Sequence, residues 1–164
     1  MKKIFAMILA LISLFTFTAF AEEAIELVPI TFEDGFQIAL PGDWVELELT
    51  DEQYEAGIFF AAASPDGANT VQISWNALEA EISIEDVQAD LVGTYADAAV
   101  VELNGIPFVG FTDAENDACG FTALDAVEPG LYTFWFTPAS DEAFYATAGA
   151  IVGSICNVEI EEDA

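Results

Sequence analysis

The 164-residue chain carries 30 Asp and Glu, 2 Lys and Arg, and no His, for a formal net charge of -28 at pH 7. Both cations are Lys2 and Lys3, so from Ile4 onward there is no basic side chain with which a carboxylate can pair. That excludes a surface for nucleic acid, which is held by Lys and Arg on its phosphates, and for anionic lipid. At 13% aromatic and 54% hydrophobic, it is also unlike the aromatic-poor acidic chains that stay unfolded.

Lys2 and Lys3 are followed by an uncharged apolar run, Ile4 to Phe20, and then by Ala19-Phe20-Ala21 ahead of Glu22 and Glu23. A basic start, an apolar run and an A-x-A site are the three parts of a secretory signal. Residues 1–21 are therefore expected to be a signal peptide cleaved between Ala21 and Glu22. A retained anchor is the competing reading, but the run is at the lower edge of what spans a bilayer. After processing, no transmembrane span is expected. Residues 22–164 suit a single domain, ending in a short acidic tail.

Short apolar runs punctuated by turn residues come next. Phe36 to Leu40 lies between Asp34-Gly35 and Pro41-Gly42, and Gly57 to Ala63 ends at Ser64-Pro65-Asp66-Gly67, a cluster suited to reversing the chain. Thr70 to Asn76 alternates, with Val71, Ile73 and Trp75 on one face, as a half-buried strand does. The period then changes to a helical stripe, Ile84, Val87, Leu91, Val92 and Tyr95, with Ser83 as the expected N-cap and Glu85 and Asp86 in the first turn. Asn104-Gly105 between Val100–Leu103 and Ile106–Phe111 is a hairpin signal. Gly120–Ala126 and Leu131–Thr137 make a second hairpin around Glu128-Pro129-Gly130. A last helix is expected to start at Ser140, with the stripe Phe144, Ala148, Ile151, Val152 and Ile155. Together these elements predict an α+β domain, a mostly antiparallel sheet flanked by two helices.

Several of these pieces occur in a familiar order. Phe36-x-Ile38-x-Leu40-Pro41-x-x-Trp44 opens the domain, and a central helix and the Asn104-Gly105-Ile106-Pro107 hairpin follow. The chain closes with Phe134 through Phe144 and Ile151-Val152-Gly153-Ser154-Ile155. In this the chain resembles the small secreted proteins with the Mog1/PsbP-like fold. The resemblance spans most of residues 22–164 and implies an antiparallel sheet flanked by helices, with a binding or assembly role. It carries over no site residue. The absence of basic residues sets this chain apart from any relative whose partner surface relies on Lys or Arg.

Few residues carry chemistry. Cys119 and Cys156 are the only cysteines. An even count in an oxidising compartment leads to the expectation of a disulfide pinning the last helix to the sheet, against the alternative of two separately buried thiols. Asp113-Ala114-Glu115-Asn116-Asp117 places oxygens at alternate positions as calcium loops do. An EF-hand, however, needs Gly sixth and Glu twelfth, where this chain has Ala118 and Leu124. A solvated acidic loop is the expected reading, with divalent cations associating non-specifically, and no metal or other cofactor is expected. Without His or Lys beyond residue 3, the Ser-His, Cys-His and Schiff-base devices are excluded. Only a carboxylate pair remains for acid–base work. Trp44, Trp75 and Trp135 read as core, and Gly149 and Gly153 as close helix packing rather than a membrane motif. The expectation is an exported, secreted or extracytoplasmic, non-enzymatic binding or accessory domain whose partner is an unknown protein or envelope component. The alternative is a carboxylate-based hydrolase of sugars or peptidoglycan.

Overall fold

The computed structural model describes residues 26–32 and 36–157. The expected signal segment, its Ala21–Glu22 junction, the Asp34-Gly35 turn and the acidic tail lie outside the described residues.

Among the described residues ten strands form two sheets. β1 (Leu27–Thr31), β2 (Phe36–Pro41) and β10 (Cys156–Asn157) make a three-stranded sheet with β2 at its centre. The larger sheet has seven strands: β3 (Val45–Glu46), β4 (Ile58–Ala63), β5 (Thr70–Ala77), β6 (Ala99–Leu103), β7 (Ile106–Asp113), β8 (Ala118–Leu124) and β9 (Gly130–Thr137). They lie in the order β3-β4-β5-β9-β8-β7-β6, and every strand pairing is antiparallel. The fold is the expected α+β domain on a mostly antiparallel sheet. Both expected hairpins form. In the first, Asn104 and Gly105 have φ of 54° and 79°, the two positive values that a two-residue turn matched to strand twist requires. In the second, Asp125 N–H donates to Gly130 O at 2.9 Å, and β8 starts and ends two residues earlier than the apolar run suggested.

Three helices occur among the described residues, one more than expected. α1 (Asp51–Glu55) is a single capped turn: Thr50 accepts from Gln53 N–H while the Gln53 side chain accepts from Thr50 N–H. α2 (Ile84–Val92) has the expected Ser83 cap, closed reciprocally by Asp86. α3 (Glu142–Gly153) begins two residues later than expected, with Asp141 as its cap. Ser140 is already engaged elsewhere, donating from N–H and Oγ to the Asp117 carboxylate at 2.8 Å each.

The core divides between the two faces of the large sheet. On one face Val71, Ile73, Phe108, Phe121, Phe134 and Phe136 pack against β2 (Phe36, Ile38, Leu40) and α3 (Phe144, Ala148, Ile151, Val152). Alternation explains β2, whose every second residue is buried. Trp44, two residues beyond Pro41-Gly42, stacks on Phe144 with centroids 6.0 Å apart, so the Leu-Pro-x-x-Trp entry fastens β2 to α3. One polar tie reinforces this junction, Ala39 N–H donating to Ser154 Oγ at 2.8 Å, and another, from Asn104 Nδ2 to Gly153 O, fastens the β6–β7 turn to the end of α3. On the opposite face a smaller cluster of Val87, Ala98, Val109 and Phe111, flanked by Tyr95 and Trp135, lies beneath α2. Tyr132, Phe134 and Phe136 thus share one face of β9 and Trp135 the other, as its alternation predicted.

The cysteines are not joined. Cys119 is a buried free thiol on β8, and Cys156 is an exposed free thiol on β10. They belong to different sheets: Cys119 pairs in register with Phe136 and Thr112, Cys156 with Gln37. The expected tie between α3 and the sheet is made instead by apolar burial and by the Ser154 and Asn104 hydrogen bonds. No helix among the described residues is long and apolar enough to cross a membrane.

Candidate functional site

A cleft of about 700 Å³ opens where three segments meet: the loop after α2 (residues 94–97), the β7–β8 turn (residues 112–117) and the approach to α3 (residues 139–145). Tyr95, Asp97, Asp113, Glu115, Asp117 and Tyr145 line it.

Tyr95 is positioned from below. Its ring stacks on Phe111 at 4.4 Å and 21° and meets Trp135 edge-on at 6.3 Å, while Phe111 meets Trp135 at 5.1 Å and 82°. Such geometries suit the quadrupoles of aromatic rings. The chain leaves α2 through Gly93, and Tyr95 N–H still donates to Leu91 O at 2.7 Å, which holds the side chain over the sheet. Burial, and secondarily the Asp113 charge, push the Tyr95 hydroxyl above its ordinary pKa. It stays a neutral donor at any physiological pH.

The carboxylates of the cleft are largely committed to the backbone. Asp113 Oδ1 accepts from the N–H of Glu115 and Asn116 at 3.1 and 3.2 Å, and Oδ2 accepts from Asn116 Nδ2 at 2.7 Å. The Asn116 side chain, assisted by those backbone donors, holds the Asp113 carboxyl below the usual range. Asp117 sits at φ 51°, a conformation Asp tolerates better than most side chains. Besides binding Ser140, it accepts from Ala139 N–H through its carbonyl at 2.6 Å. The turn that resembles a calcium loop in sequence is therefore a self-satisfied turn that also latches the approach to α3. Asp97 Oδ1 accepts from Thr112 N–H at 3.2 Å, tying the α2–β6 loop to β7. Its Oδ2 is buried without a partner.

The two cysteines, the other residues with reactive side chains, lie apart from this arrangement. Burial, and then the Asp117 charge, push the Cys119 thiol up to about 12, so it is inert as a nucleophile. Cys156 Sγ donates to Gln37 Oε1 at 3.6 Å. Among the described residues no group of three or more His, Cys, Asp or Glu could hold a metal ion. Sequence reasoning singled out Asp113 to Asp117 but attached Tyr95 only to the stripe of a helix. It missed Asp97 altogether, because nothing local in the sequence brings the three segments together.

No protein-family model and no curated protein sequence matches the chain. Solved structures do. Cyanobacterial PsbP from Synechocystis superposes with a TM-score of 0.60 at 11% identity, over 87% of this chain and 98% of that one. LpqN of Mycobacterium tuberculosis, involved in cell envelope biogenesis, gives 0.53 at 11% identity over 82% and 91%. A Bacteroides thetaiotaomicron protein gives 0.52 at 16% identity over 78% of this chain and 47% of its own. The fold is PsbP-like, as the resemblance implied. At such identities the likeness concerns the fold and no residue of the cleft.

Proposed function

We propose that this chain is an exported, strongly acidic, non-enzymatic binding or accessory domain, processed between Ala21 and Glu22, that engages a protein or envelope component through the cleft around Tyr95. The observation that carries the reading is how the cleft carboxylates are used. Asp113 and Asp117 spend their oxygens on backbone and side-chain donors of the turn and of Ser140. The shift of Asp113 is downward, opposite to what a general acid needs near neutral pH. A carboxylate hydrolase of sugars or peptidoglycan, the competing reading, requires one carboxyl raised beside another that stays ionised. A shaped cleft with a rigid aromatic floor and an uncompensated negative rim suits recognition instead. An envelope setting, like the cell envelope biogenesis in which LpqN is involved, agrees with the secretory pattern of residues 1–21.

The test is site-specific photo-crosslinking in the native envelope or medium, with and without calcium. A crosslinker at Ala114 on the cleft rim is compared with one at Val127, which is exposed in the β8–β9 connection. A discrete adduct from Ala114 alone is expected. Equal labelling from both positions, or turnover of oligosaccharide or peptidoglycan abolished by Asp97→Asn, would overturn the reading.

A further inference from the structure

We draw no further inference here: the strongest candidate, the carboxylate cluster of Asp97, Asp113, Glu115 and Asp117 at the rim of the cleft between the α2–β6 loop, the β7–β8 turn and the start of α3, belongs to the site already described and is joined by no second observation that points to a ligand.

Discussion

At Gly120 a Cβ would lie 2.7 and 2.9 Å from Cε2 and Cε1 of Phe111, well inside contact distance. Phe111 cannot swing aside, because Tyr95 stacks on it and Trp135 meets its edge. Gly120→Ala is therefore expected to cost about 1–3 kcal/mol as an overpacking change and to displace Tyr95 from the cleft. Chemical denaturation followed by Tyr and Trp fluorescence checks both, and an unchanged midpoint would mean that the ring has room to yield. The two thiols give a second residue-scale test. Exposed Cys156 should react with a thiol reagent in the native protein, and buried Cys119 only after unfolding. If unreduced denatured protein shows no thiol at all, a bridge has formed and β8 and β10 lie differently from the structure described. The even cysteine count pointed to compartment chemistry but not to geometry, which is why the sequence led to a disulfide that the structure does not contain. Asp117 was equally opaque. Its role depends on Ser140, a residue 23 positions away, and no periodicity reports such a partner.

Elements were legible in proportion to how local their causes are. The two hairpins could be read because Asn104-Gly105 and Glu128-Pro129-Gly130 carry their own turn chemistry, and α2 because a cap and an apolar stripe coincide. β1 could not be read: Pro29 within Leu27–Thr31 argues against a central strand, and β1 is in fact an edge strand. α1 carries a Thr-x-x-Gln capping box but buries no residue, so no apolar stripe announced it. Caps also give predictions at this scale. Ser83→Ala removes the acceptor for Asp86 N–H and the donor to the Asp86 carboxylate and should cost about 1 kcal/mol, read as a lower denaturation midpoint, whereas Ser83→Thr, which keeps the hydroxyl, should retain most of it. In the β7–β8 turn the sign of the pH effect follows from the lowered pKa of Asp113. Its contribution is present above the unfolded value of 3.8 and is lost as pH falls through the lower folded value. Asp113→Ala should therefore flatten the acid limb of the stability–pH profile while leaving the shape above pH 5 alone. An unchanged acid limb would mean that the Asp113 hydrogen bonds contribute nothing to the ionised turn.

For the whole molecule, charge is the dominant fact. Two carboxylates 10 Å apart in water repel by roughly 0.4 kcal/mol before screening. From Ile4 onward no basic side chain offsets any of the 30 carboxylates. Sodium chloride should accordingly raise the melting temperature, and calcium should do so at lower concentration through general screening. A melting temperature indifferent to salt would mean that the carboxylates already lie far enough apart. The same composition governs proteolysis. Trypsin cuts after Lys or Arg, reading the cation with a buried aspartate, and beyond Lys3 the chain offers neither. Folded proteins ordinarily resist proteases through compactness and lose that resistance on unfolding, because cleavage tracks the open population. Here resistance to trypsin should persist in urea. Chymotrypsin, which takes aromatic residues and would find 14 Phe, 4 Tyr and 3 Trp, should cut the unfolded chain readily. Comparing the two enzymes on native and urea-unfolded protein separates chemistry from compactness. Equal resistance of the native form to both, followed by loss of resistance to chymotrypsin alone, is the expected pattern. A tryptic cut beyond Lys3 in urea would show that recognition of a basic residue does not limit cleavage of this chain.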